Sequence, residues 1–449
     1  MPIGEATAES TTQRLARRIL SYREARLSTS AWIVAKHCVL DWFAVTLAAQ
    51  EEPLIRLLRE EIANNGPATI VGTARKAQPT DAALVNGSAS HALDYDDCHH
   101  FVGHPTVTVL PAALAIAETE RASGAALLRA LIAGVETSAA IGSLVLPTHY
   151  DRGFHATATL GAFGAAAAAG LLLDLDEGQT TMALGLAGMQ AAGLKSMFGT
   201  MAKPLQAGKA AANGVLAARL AKRGFTAHAD VLDVAQGFID THGRSHPSME
   251  IRLTSPGETI TDTLFKYHAA CYLTHSTIEA IAELRAAHDL SPADIAAIDI
   301  HVAPGHLKVC NIAAPKTGLE MKFSLRHVSA LAAFGTDTAA IETYCDETAT
   351  NPAFSAFRDK VKVHGDGHGE TAAEVHLTLR SGAQRRLRVD VGIPVRDLPA
   401  QQARLKRKYN SLTEPVLGIE QSRRLYDAIQ NLERADSLDG LLLATGGGT

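Results

Sequence analysis

Over most of the first half of the chain, apolar residues recur at three- and four-residue intervals. In SAWIVAKHCVLDWFAVTLAAQ (Ser30 to Gln50), Val34, Cys38, Trp42, Val45 and Ala49 share one helical face. Ser30 is placed to cap that helix. The same period dominates from about Ser10 to Gly224. PAALAIAETERA predicts a helix opened by Pro111, because a first turn tolerates a missing N–H. SGAALLRALIAGVETSAAIGSLVL continues the pattern. The most apolar stretch is LGAFGAAAAAGLLLDL, Leu160 to Leu175. Ala and Gly dominate it, and its uncharged part is too short to span a bilayer. It predicts a buried, close-packed helix in an all-helical domain.

The pattern changes near residue 265. IAAIDIHVAP (Ile295 to Pro304), VKVH (Val361 to His364), AEVHLTLRSG (Ala373 to Gly382) and RRLRVDVG (Arg385 to Gly392) alternate apolar with polar, as half-buried strands do. FSLRHVSALAAF (Phe323 to Phe334) is a helical segment between them. After about Pro399 charged helices return, and the GGGT tail reads as disordered. The chain is therefore mainly α, divided as 1–264 helical, 265–398 α+β and 399–449 helical. The last helices suit either domain by pattern alone. A helical domain built from both chain ends, with an inserted α+β unit, is the economical arrangement.

Composition narrows the function classes. A formal net charge of -5 argues against a non-specific nucleic-acid partner. MPIGEATAESTTQRLARRIL lacks the apolar core of a secretory signal, so a cytoplasmic protein with no membrane partner is expected. The five cysteines include no CxxC pair, which disfavours a disulfide framework, a thiolate zinc site and a cubane iron–sulfur cluster.

Four stretches crowd titratable groups beside apolar helices. HALDYDDCHHFVGHPTV carries Asp94, Asp96, Asp97, Cys98, His99, His100 and His104. DRGFHATATLGAFG carries His155, FGTMAKPLQAGKAAANG carries Lys203 and Lys209, and LFKYHAACYLTHS carries Lys266, His268 and His275. His is poised near neutral pH, and Lys neutralises carboxylates. The set suits proton removal beside a substrate carboxylate, where the carbanion must be stabilised. Taken singly, each residue also has a plainer reading. His155 can bond backbone at a helix start, and Lys203 can lie in a surface loop. Asp96 and Asp97 can cap a turn, His99 and His100 can be exposed, and Lys209 and Lys222 can be solvated. Gly103 and Pro105 disfavour a helical His100/His104 metal pair, and no HExxH motif occurs, so no metal is expected.

Jointly these stretches resemble the MmgE/PrpD family. Asn86-Gly87, His91, Asp94-Tyr95-Asp96-Asp97, His104-Pro105-Thr106, Gly153-Phe154-His155, Gly199, Lys203-Pro204, Gly208, and Lys266 before Thr274-His275 match its motifs in order. The resemblance implies a large helical domain from both chain ends, an inserted α+β lid, a homodimer, and a site between the domains. It implies Asp94, His104, His155, Lys203 and Lys266 as catalytic residues, with no metal or other cofactor. It implies a small di- or tricarboxylate substrate. Dehydration of a 2-methylcitrate-like tricarboxylate is the first expectation. Epimerisation of a dicarboxylate such as iminodisuccinate is the alternative, followed by cis-aconitate-type decarboxylation. A non-catalytic carboxylate binder is the reading from a different class. Three departures bear on the substrate: Cys98 where several members have Thr, His268-Ala269 in place of an aromatic-Pro pair, and His327 where many members carry an aromatic residue. Cys98, His268, His275 and His327 are the expected substrate-binding residues.

Overall fold

The computed structural model describes residues 9–243, 251–367 and 369–446. Among these, contacts define two compact units. The first runs to Thr263 and resumes at Thr413; the second is Leu264–Leu412. The second division falls inside the helix Leu398–Leu417, later than the change of pattern at 399. Of the GGGT tail only Gly446 lies within the described residues.

In the first unit the helix Ala156–Leu172 is buried from Ala156 to Gly170. It packs against Thr106–Thr119, Gly124–Val145, Glu177–Met189 and Ala202–Lys222. The small residues read from the sequence explain how so many helices reach one axis. A Cβ added at Gly164 would lie 2.1 Å from Ser138 Oγ and 2.5 Å from the Gly134 carbonyl oxygen. Real Cβ contacts do not come that close, so the backbones approach through glycine. Two helices, Thr29–Ala48 and Gly124–Val145, are long and apolar enough to cross a membrane, but most of each is buried inside the fold as core.

Three local expectations are corrected. Ser28, not Ser30, caps Thr29–Ala48, its side chain accepting from Ala31 N at 3.1 Å. A cap must reach an N–H three residues on, and Ser28 does so while letting Ala31 bury. Pro111 does not open a helix; it lies inside Thr106–Thr119. Pro111 cannot bond the Val107 carbonyl, but every residue from Thr106 to Ala117 is buried, and that packing outweighs the missing bond. The helical unit also holds a two-stranded ribbon, Ala68–Thr69 with Lys76–Ala77, so it is not all-helical. Two-residue strands are too short for alternation to reveal.

The second unit holds a four-stranded sheet in the order Val361–His364, Ile295–Val302, Ala372–Leu379, Gln384–Asp390. The first pair is parallel and the others antiparallel. Ile298, Ile300, Val302, Val375 and Leu377 bury on one face. The helices His275–Ala287 and Leu325–Phe334 pack on the strands. Asp299, His301, His364, Glu374 and His376 fall on the opposite, half-exposed face.

The helices Pro79–Ala92 and Ala202–Lys222 cross where Gly87 meets Gly208. A Cβ on Gly208 would sit 2.2 Å from the Leu84 carbonyl oxygen. Gly208→Ala is therefore expected to destabilise the protein by about 1–3 kcal/mol through overpacking, read as a lower urea midpoint. An unchanged midpoint would show that the crossing yields.

Candidate active site

That crossing brings the end of one helix to the start of another. Past Ala92 the chain turns at Asp94, whose φ of 50° is left-handed, a region Asp enters more readily than most side chains. Lys203 lies in the first turn of Ala202–Lys222, and its Nζ donates to Asp94 Oδ1 at 2.8 Å. Lys203 is thus not a surface-loop lysine; its side chain is 16% exposed.

His104 is placed by backbone geometry. Gly103 is left-handed, with φ 91°. The loop closes on itself through His99 N to Gly103 O at 2.7 Å and Gly103 N to His99 O at 2.9 Å. His104 N then donates to Thr157 Oγ1 at 3.1 Å, fastening the loop to the central helix.

The buried Asp96 carboxylate bridges two imidazoles. Its Oδ2 lies 2.8 Å from His104 Nδ1, and its Oδ1 lies 3.0 Å from His91 Nδ1. Asp96 therefore does not cap a turn. Neither does Asp97, whose Oδ2 accepts from Thr106 Oγ1 at 2.5 Å. Burial alone raises the Asp96 carboxyl, but the two histidines outweigh it and hold it well below its ordinary value. Burial likewise disfavours charge on His104, yet Asp96 and Cys98 overcome it and lift its pKa to about 10. His104 is a cation at neutral pH. Its Nε2 lies 3.9 Å from Asp94 Oδ1, and its Nδ1 lies 3.8 Å from Cys98 Sγ.

His155 is the opposite case. It occupies the N-cap position of Ala156–Leu172, but its side chain makes no capping bond. Its backbone N–H donates to Gly193 O at 3.0 Å. The ring stacks on His91, centroids 6.0 Å apart, and meets Phe198 edge-on at 5.1 Å. Its Nδ1 is buried without a partner, as is His91 Nε2. Burial, followed by the neighbouring His91, Lys203 and His104, pushes the His155 pKa down to about 2. Two buried nitrogens left unbonded are costly in the free protein and mark where a ligand or water would pay back that cost. A cationic imidazole, a neutral imidazole and an ammonium thus gather around one carboxylate.

His91, Asp94, Asp96 and His104 bring ligand atoms within 4.8 Å of one another, so their composition is compatible with a metal. Both Nδ1 atoms are bonded to Asp96, and an ammonium already sits on Asp94. His100 is exposed, as are Lys209 and Lys222, whereas His99 is buried.

The remaining expected residues lie in the second unit. Lys266 is buried. His268 has both ring nitrogens engaged, with Thr338 Oγ1 at 2.7 Å and Glu279 Oε1 at 3.0 Å, so it braces its own segment. His275 is buried with Nε2 3.2 Å from Ala270 O, and burial holds its pKa well down. His327 is buried on Leu325–Phe334, its pKa lowered to about 4 chiefly by burial. Sequence reasoning passed over His91 and Asp96 as site residues and missed Phe198. The first two stand in the matched motif itself; Phe198 carries no local signal.

The MmgE/PrpD N-terminal domain matches residues 13–250, and the MmgE/PrpD C-terminal domain matches 268–434. A cis-aconitate decarboxylase of Homo sapiens is 28% identical over 79% of this chain and 77% of its own. One of Aspergillus terreus is 27% identical over 84% of this chain and 83% of its own. One of Mus musculus is 27% identical over 79% and 76%.

Asp96→Asn keeps a hydrogen-bond partner for His104 but removes the charge. Read by NMR titration of the ring protons, the His104 pKa is expected to fall well below about 10, because burial is then opposed only by Cys98. The sign follows from linkage. A histidine whose pKa is raised by folding adds stability that is complete below the unfolded value and disappears as pH rises through about 10. The variant should lack that alkaline loss. A His104 titration unmoved by Asp96→Asn would overturn the assignment.

Proposed function

The chain belongs to the MmgE/PrpD family, and on that premise we propose that it is a metal-independent carboxy-lyase of a small unsaturated tricarboxylate of the cis-aconitate type. Enzymes of the lyase and decarboxylase type are what the chain resembles over most of its length. One observation carries the reading: Lys203 and the His104 cation converge on the half-exposed Asp94 carboxylate, beside a neutral buried imidazole. Two cations so placed suit a substrate carboxylate as well as a protein one.

In this reading Lys203 shifts from Asp94 to the substrate and holds one carboxylate. The bond to a second carboxylate, allylic to the double bond, breaks and releases carbon dioxide. Its electron pair moves through the double bond onto the carbon beside a remaining carboxylate. His104 gives that carbon a proton and is reprotonated from solvent. Cations beside the remaining carboxylates stabilise the intermediate charge. Lys266 is carried over from the family as a further carboxylate-binding cation. Cys98, adjacent to His104, is assigned contact with the substrate. The expected order, with dehydration first, is thus reversed, because the relatives named here are decarboxylases. Dehydration or epimerisation remains the second reading, favoured by the buried His155 Nδ1, which has no partner among the described residues and is placed to meet a substrate proton. We also assign the chain a homodimeric, cytoplasmic role, with no nucleic-acid or membrane partner.

Incubation with a panel of di- and tricarboxylates in heavy water, followed by NMR, separates these reactions. Carbon dioxide release with one deuteron in the product is expected. Loss of water indicates a dehydratase, and deuterium wash-in without net change indicates an epimerase. No turnover or exchange on any candidate would leave a carboxylate binder and sink the proposal. Activity is expected to survive EDTA; loss on chelation, restored by Zn or Fe, contradicts metal independence.

Lys203→Ala should lose on the order of 2–4 kcal/mol of transition-state stabilisation in kcat/KM, as removal of other charge-stabilising donors does. His104→Ala should abolish protonation while binding persists. If His104→Ala turns over at the wild-type rate, another group is the acid.

A further inference from the structure

The open face of the second unit's sheet carries a histidine–carboxylate cluster that the proposed reaction does not use. Three adjacent strands each place one histidine there: His364, His301 and His376. The His301 ring centroid lies 4.7 Å from that of His364 and 4.8 Å from that of His376. Each ring has one nitrogen on a carboxylate. His301 Nδ1 is 2.8 Å from Asp366 Oδ1, His364 Nε2 is 2.8 Å from Asp299 Oδ1, and His376 Nε2 is 2.8 Å from Glu374 Oε1. A cavity of about 260 Å³ opens over His301 and His376, walled by Asp366, Gly367, Glu374 and Arg388. The wall is built closely. Gly367 N donates to Val302 O at 2.9 Å, and a Cβ on Gly367 would lie 2.7 Å from Val302 N. That approach holds Asp366 over His301.

We propose that this face binds one borderline divalent cation of the zinc class, with His301 and His376 as the primary ligands and His364 completing the set. A metal-bound imidazole usually gives its other ring nitrogen to a carboxylate, which fixes the ring and raises its basicity. All three rings already have that partner. Among the described residues, the ring nitrogens not given to a carboxylate are His301 Nε2, His364 Nδ1 and His376 Nδ1. Imidazole donors flanked by carboxylates suit Zn²⁺, Ni²⁺ or Cu²⁺ rather than Mg²⁺ or Ca²⁺. The side chains are 27%, 38% and 41% exposed for His301, His364 and His376, so a hydrated ion reaches them. The His301 and His364 rings lie 17° from parallel, so their lone pairs do not yet converge. Convergence needs rotation about the Cβ–Cγ bond, a broad torsion for histidine, with the exposed Asp366 side chain following the His301 ring. The bound ion would tie three strands together.

The test uses untagged protein stripped with EDTA and titrated with Zn²⁺ by calorimetry. One equivalent is expected to bind the wild type, and also His104→Ala, which disables the other metal-compatible cluster. His301→Ala and His376→Ala should each weaken binding at least about ten-fold, and Asp366→Asn by about ten-fold through lost orientation of the ring. Zn²⁺ should raise the Tm of the wild type but not that of His301→Ala, and the metal-free Tm values check that the variant folds. Turnover should be unchanged in His301→Ala, which separates this site from the reaction. Absence of binding, binding unchanged in both sheet variants, or binding abolished by His104→Ala alone overturns the proposal.

Discussion

One buried carboxylate, Asp96, settles the charge of the groups around it. Alone in that position it would be driven to its neutral form. Shared between His91 and His104 it remains an anion, and it makes His104 a cation in turn. That cation then joins Lys203 in lowering the proton affinity of His155. Three neighbouring imidazoles are thereby split at neutral pH, with His104 charged and His91 and His155 neutral. Contact with Asp96 does not by itself decide the charge: His91 touches it too, yet burial, with Lys203 and His104 nearby, lowers the His91 pKa to about 4 and leaves that ring neutral.

This arrangement depends on helices that approach more closely than larger side chains allow. Gly164 and Gly134 bring the central helix onto Gly124–Val145, while Gly87 and Gly208 set the distance from Asp94 to Lys203. The packing term and the electrostatic term are therefore not independent. An ion pair at 2.8 Å requires backbone positions defined to a fraction of an ångström. Small residues supply them by leaving nothing to repack.

Much of this was legible in the sequence. Alternation located the four long strands of the second unit, and helical period located the first. The motif order pointed to Asp94, His104, His155 and Lys203, which the fold draws into one cluster from three separate stretches. What stayed hidden was relational. Asp96 and Asp97 are neighbours of the same type, yet one bridges two imidazoles and the other receives a threonine hydroxyl. Only the direction of each side chain separates them. His268 looked like a ligand for substrate, but Thr338, seventy residues away, and Glu279 occupy its nitrogens. Pro111 read as a helix start because local rules do not count the burial around it. Phe198 has no marker at all, since an aromatic in a loop announces nothing until the imidazole beneath it is seen.

The helical unit takes its last pieces from beyond Thr413, and the helix Ile419–Gln430 packs against Thr29–Ala48. During synthesis those two partners are separated by nearly the whole chain. Domains ordinarily fold as they emerge from the ribosome. Here the second unit, contiguous in sequence, can finish while the first still waits for its closing helix. Thr29–Ala48, among the most apolar helices in the protein, thus leaves the exit tunnel long before its full cover exists. The interval is one in which chaperones have an exposed surface to hold.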